Sequence, residues 1–245
     1  MSYSFIEHPF QPEKKIYACI VSCEAEDVIR ELENLGILVL KTKRNSKLPE
    51  PVCSHADLQV LPLGGNRVAV DTEQVELIEE MLRLGFDVIS INGAGSDYPD
   101  DCILDHVIVN RYLFGKIQVV PKSIISLNLY EMVNVNQGYA KCSTIVLNEE
   151  TLLTDDKSIG REATKHIKNV FVLKQDEVLL KGYDHGFIGG SCGKLDKDLL
   201  CFAGHIPQTA FGDSLKKILK DTEMRYLETG NGQIRDIGGI IPILI

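Results

Sequence analysis

Long apolar runs are missing from this chain of 245 residues: nowhere does a stretch of about 18 apolar residues occur, the length a membrane-spanning helix needs. Residues 1–15 also lack the apolar core of an export signal. A cytoplasmic location without a membrane partner is therefore expected. Basic residues are in deficit, 26 Lys and Arg against 35 Asp and Glu, giving a formal charge of −9. The densest basic cluster is only Lys41-Thr42-Lys43-Arg44. Such a surface repels phosphate backbones, so nucleic acid is not an expected ligand, whereas a cationic small molecule is compatible with it. Cysteine is present without a framework: the seven residues are odd in number and irregularly spaced, and a chain this long needs no staples. They read as reduced thiols. Cys19 and Cys23 have no second ligand pair, and Gly93-Ala94-Gly95 lacks the third glycine of a dinucleotide loop and meets Pro99 where a helix should begin. Neither a metal nor an organic cofactor is expected.

What is there is a hydrophobic fraction of 44%, that of a chain folded nearly throughout, and a repeated pattern that reads as a single domain over residues 1–245. In "VIRELENLGILVL" (28–40), Val28, Ile29, Leu32 and Leu35 stand at helical spacing, Gly36 stops the helix, and branched residues begin a strand. "VELIEEMLRLGFDVI" (75–89) repeats this, with Gly85 at the stop, 49 residues after Gly36. Weaker copies lie at 120–135, 157–174 and 211–228. Before each of the last four helices stand two short apolar segments: 58–63 with 67–70, 103–109 with 112–120, 142–147 with 151–154, and 186–195 with 199–203. The unit is ββαβ. The first copy has one strand too few before its helix, "IYACIVS", and the C-terminal "QIRDIGGIIPILI" is a spare strand. Pairing the two would complete five units in an α/β propeller and remove two exposed sheet edges.

Five such units resemble the pentein fold of arginine deiminases, amidinotransferases and dimethylarginine hydrolases. "HADLQV", "YPDDCIL", "NQGYAKCST" and "DHGFIGGSCG" resemble, more closely, an uncharacterised bacterial family of that fold. The His-x-Asp of the deiminases is similar to His55-Ala56-Asp57, and their Cys segment is similar to "QGYAKCST", which contains Cys142. His55 and Cys142 are 87 residues apart, close to two repeats, as those motifs are in the enzymes. The enzymes carry the Cys near the chain end, where this chain has Pro242, so the resemblance implies a circularly permuted member. Of the family's other binding carboxylates, one should fall near "GFIGGSCG", with Asp184 close by, and one near "RDIGG", with Asp236 one position out of register.

The resemblance implies a Cys/His-dependent hydrolase or transferase acting on a guanidinium or amidine C–N bond through a covalent thiouronium. Cys142 would be the nucleophile, assisted by Lys141 or by the cationic substrate itself. His55 would be the acid and base, and Asp57, Asp184 and Asp236 would bind substrate. Blander readings stay open. His55 can be a strand-start residue bonded to a backbone carbonyl, Cys142 a buried small apolar residue, and the whole chain a non-catalytic pentein that binds or assembles, as the ribosome anti-association factor of that fold does. Cys192 in "GGSCG" is the rival thiol, and Asp100, Asp101, Asp105 and His106 could bind a cation but read more readily as loop caps and solvated groups.

Overall fold

In a computed structural model, which describes residues 3–174 and 177–245, the apolar repeats become five separate three-stranded sheets. The first begins with β1 (Ala18–Ser22), passes through helix α1 (Glu26–Asn34) and returns in β2 (Leu38–Thr42), parallel to β1 from Ala18↔Leu38 to Ser22↔Thr42. Of the apolar stripe seen in the sequence, Val28, Ile29 and Leu32 are the buried face of α1, whereas Leu35, at the helix end, is exposed. Gly36 follows the helix at φ +79°, a left-handed turn that favours glycine.

The next four sheets each contain a complete unit, an antiparallel hairpin, a helix and a strand parallel to the middle one. They are β3 (Val60–Pro62), β4 (Arg67–Asp71), α2 (Val75–Arg83) and β5 (Asp87–Ile91), followed by β6 (Val107–Val109), β7 (Tyr112–Gly115), α3 (Lys122–Ile125) and β8 (Glu131–Asn134). Then come β9 (Thr144–Asn148), β10 (Thr151–Thr154), α4 (Lys157–Ala163) and β11 (Asn169–Val172). The last are β12 (Cys192–Asp196), β13 (Leu199–His205), α5 (Ala210–Asp221) and β14 (Arg225–Gln233). The spare C-terminal strand, β15 (Ile241–Leu244), pairs antiparallel with β1 and completes the first sheet. The chain ends meet there, Ser4 and Ile245 exchanging two backbone hydrogen bonds of 2.7 and 2.9 Å. Among the described residues no helix is long and apolar enough to cross a membrane.

Two expectations change. The strand expected over 112–120 stops at Gly115, and the third helix is one turn long, because Pro121 resets the chain and Asn128 leaves it at φ +51°. The outer strands also begin two or more residues later than the apolar pattern suggests. The residues in front of them form loops whose backbones bond to one another: Asp57 N–H to Gly238 O (3.1 Å), Gly190 N–H to Cys142 O (2.8 Å), and Ile237 N–H to Gly190 O (2.9 Å). This close approach is why glycines are needed. A Cβ on Gly193 would lie 1.9 Å from Ile240 O, and one on Gly190 2.1 Å from Asp236 Oδ1.

Candidate functional site

The convergent loops bring residues 55–57, 105, 142 and 236 together although they are spread over most of the chain. Cys142 is the second residue before β9, and its thiol donates to Asp57 Oδ2 at 2.8 Å. Asp105 holds the same turn from behind, its Oδ1 accepting from the backbone N–H groups of Lys141 and Cys142, the latter at 3.0 Å. His55 Nδ1 lies 3.6 Å from Asp236 Oδ1, an ion-pair rather than a hydrogen-bond distance. Asp236 is itself fixed by the N–H groups of Phe187 and Gly238, both at 3.0 Å.

His55, Cys142 and Asp236 line one cavity of about 220 Å³. Its walls are aromatic and apolar, with Tyr139, Phe187 and Tyr183 joined by Val52, Leu58 and Leu180. Tyr139 is pinned by a hydrogen bond from its hydroxyl to the buried Asp101 and packs on Phe187 with ring centroids 5.7 Å apart. His185 meets the far edge of Phe187 at 5.9 Å. Asp184 also lines the cavity but is exposed, so it stands at the mouth.

The electrostatics are one-sided. Asp57, Asp105, Asp155 and Asp236 are all buried, and Asp57 Oδ1, Asp105 Oδ2 and Asp155 Oδ1 have no hydrogen-bond partner. Burial is the main reason that the carboxyl groups of Asp105 and Asp236 are pushed up, with the charge of Asp57 adding to both. Asp155, which accepts from Ile188 N–H at 2.8 Å, is pushed up to about 8 by burial and then by Asp236. The Cys142 thiol is raised as well, first by burial and then by the charges of Asp105, Asp57 and Asp236. In this environment Cys142 is a protonated thiol. Donor atoms of Asp57, Asp105 and Cys142 lie within 4.8 Å of one another, a spacing that also suits a metal ion.

Several sequence readings change here. Lys141 does not serve the thiol: its ammonium donates to Gly189 O at 3.0 Å and lies over the Phe10 ring. The groups that act most on Cys142 after burial are carboxylates. Asp57, expected to bind substrate, instead faces the thiol with Oδ2, its Oδ1 is buried without a partner, and it is not among the residues lining the cavity. Cys192 is buried beside a separate cavity of about 20 Å³, pushed up to about 12 by burial, and its glycines serve close packing rather than an anion. Asp105 does cap a loop, but buried and beside the thiol, not in solvent. Asp155 was missed altogether. The repeat contains the signal for both: Asp105 stands two residues before β6 as Cys142 stands before β9, and Asp155 N–H bonds to Ser143 O as Asp71 N–H bonds to Gln59 O one repeat pair earlier.

Among curated protein sequences nothing matches this chain significantly. Among solved structures, an inosamine-phosphate amidinotransferase of Streptomyces griseus is similar at a TM-score of 0.60 and 11% identity, covering 96% of this chain and 95% of that one. A Microseira wollei amidinotransferase of the saxitoxin biosynthetic pathway gives 0.57 and 11%, covering 93% and 91%. The DDAH of Pseudomonas aeruginosa, in complex with citrulline, gives 0.54 and 11%, covering 88% and 92%. These are pentein-fold enzymes, and at such identity they establish the fold. A family model matches residues 20–241, nearly the whole chain, so the protein belongs to the family of unknown function DUF6873, with the architecture of the penteins.

Proposed function

We propose that the protein is a Cys/His-dependent hydrolase or transferase of a guanidinium or amidinium C–N bond, with Cys142 as nucleophile and His55 as acid and base. The observation that carries this reading is the cavity that His55, Cys142 and Asp236 share, with the buried carboxylates of Asp57 and Asp105 held against the thiol. A planar cation is the guest that this acidic surrounding and the Asp236 carboxylate in the lining match. We also read the five sheets as one ring closed at β1 and β15, with the nucleophile in the mid-chain loop before β9 because the chain is opened at a different junction from its relatives.

A bound cation lowers the cost of ionising a thiol that burial and neighbouring aspartates otherwise keep protonated, and Asp57, already the acceptor of that hydrogen bond, takes the proton. The thiolate adds to the amidinium carbon and forms the C–S bond. His55, turned by Asp236 so that Nε2 is its free nitrogen, donates a proton to the departing nitrogen as the C–N bond breaks. The same nitrogen then takes a proton from water, or from an acceptor amine in a transferase. The hydroxyl or amine adds to the thiouronium carbon, the C–S bond breaks, and the thiolate recovers its proton from Asp57.

Treatment with 2-chloroacetamidine, an amidine electrophile, followed by peptide mapping tests this. Cys142 should be alkylated well ahead of the other six cysteines, and His55→Ala should slow that labelling at least tenfold. Uniform slow labelling of all seven favours the other reading, a pentein that binds without catalysis, to which the protonated resting thiol is equally suited.

A further inference from the structure

The charged residues around the cavity are distributed in a way that selects among guanidinium and amidinium compounds. Its inner end is acidic: Cys142, His55 and Asp236 face the space, with Asp57 and Asp105 directly behind the thiol. Its wall is a connected aromatic surface, in which Tyr139 packs on Phe187 and Phe187 on His185, with Tyr98 packed on Tyr139 at 5.8 Å from outside the lining. That surface is built rather than incidental. Tyr139 is held by Asp101, and the Tyr98 hydroxyl both accepts from Gly138 N–H at 3.1 Å and donates to Asn136 O at 3.2 Å. Among the described residues no lysine or arginine lines the cavity. Lys141 is committed to Gly189 O, and Lys181, on the loop at the mouth, is exposed and outside the lining. The charged group at the mouth is a further carboxylate, Asp184.

From this we infer that the site takes an amidine or guanidine bearing an aryl or alkyl substituent and no carboxylate, and that it discriminates against free amino acids such as arginine. This rests on the reading of the cavity as a guanidinium or amidinium site. The cationic head meets Asp236 beside the thiol, and the substituent lies along Tyr139, Phe187 and Tyr183, where ring stacking and apolar burial act together. An α-carboxylate on the same molecule would be desolvated against aromatic rings with no lysine or arginine in the lining to pair it and with Asp184 opposing it. The volume of about 220 Å³ limits the substituent to about one ring.

Calorimetric titration of the full chain with phenylguanidine, benzamidine, benzoate and L-arginine tests the inference. Phenylguanidine and benzamidine should bind at least tenfold more tightly than L-arginine, and benzoate should show no binding. Phe187→Ala should reduce the aryl preference at least fivefold; should that variant fail to fold, Tyr183→Ala, at an exposed position, should reduce it at least twofold. L-Arginine binding as tightly as phenylguanidine, or no cation binding at millimolar concentration, overturns the inference. So does L-arginine affinity that is lost in Lys181→Ala. The outcome is separable from the labelling result. Aryl-selective binding without alkylation of Cys142 sinks the reaction but not the selectivity, and alkylation that L-arginine blocks as well as phenylguanidine does the reverse.

Discussion

A carboxyl group enclosed among other carboxyl groups keeps its proton at a pH where one in water has lost it, and at the scale of single residues this governs the site. Asp155 is pushed up to about 8 from an ordinary value of 3.8, burial contributing most and Asp236 next. Unfolding exposes it, so between about pH 4 and pH 8 the folded chain holds a proton that the unfolded chain has released. Its contribution to stability therefore falls as pH rises across that window, and above it the burial cost is complete. Asp155→Asn keeps an oxygen for the Ile188 N–H and removes the charge. Urea denaturation should find the variant more stable than the parent by a few kcal/mol at pH 8.5, with the gap narrowing steadily to near zero at pH 4. A gap independent of pH would show that Asp155 does not titrate in this range. The sequence marks Asp155 only as an acidic residue before a helix N-terminus; its enclosure is not a local property.

At the scale of elements, the strands and helices follow from their own residues, while the loops between them follow from what they touch. Of the residues at helical spacing in α2, Leu77 and Met81 are buried, Ile78 is half-buried and Leu82 is exposed, and in α5 Phe211, Leu215 and Leu219 form the buried face. The segment "GGSCG" is different, because nothing local reveals that Gly189, Gly190 and Gly193 are pressed against the backbones and side chains of other repeats. Two substitutions separate local from tertiary demand. Gly36→Ala, in a left-handed turn with nothing within 4 Å of the added Cβ, should cost about 1 kcal/mol. Gly193→Ala places its Cβ 1.9 Å from Ile240 O and should cost about 3 kcal/mol or more, or prevent folding. Equal costs in chemical denaturation would contradict the tight packing of β12 on the segment before β15.

At the scale of the whole molecule, the reciprocal bonds between Ser4 and Ile245 bring the two ends together, and the proposed ring makes a definite expectation of them. A permutant that joins Ile245 to Ser4 through a short glycine linker and opens between the exposed Glu149 and Glu150 should fold cooperatively and keep the labelling of Cys142. Deleting residues 241–245 should instead leave β1 with a bare edge and yield aggregate, read by size-exclusion chromatography. A permutant that fails to fold would remove the ring. The order of helices and strands, the five repeats and the meeting of the two ends were legible in the sequence, because hydrophobic period and glycine stops are set by nearest neighbours along the chain. So was the candidacy of His55, Asp57 and Cys142, through motif. Only the tertiary structure decided that Asp105 and Asp155 are sealed in beside them, that Lys141 turns away, and that aromatic rings wall the cavity. Desolvation and partnership depend on side chains that five loops bring from distant repeats, and no window of local sequence contains them.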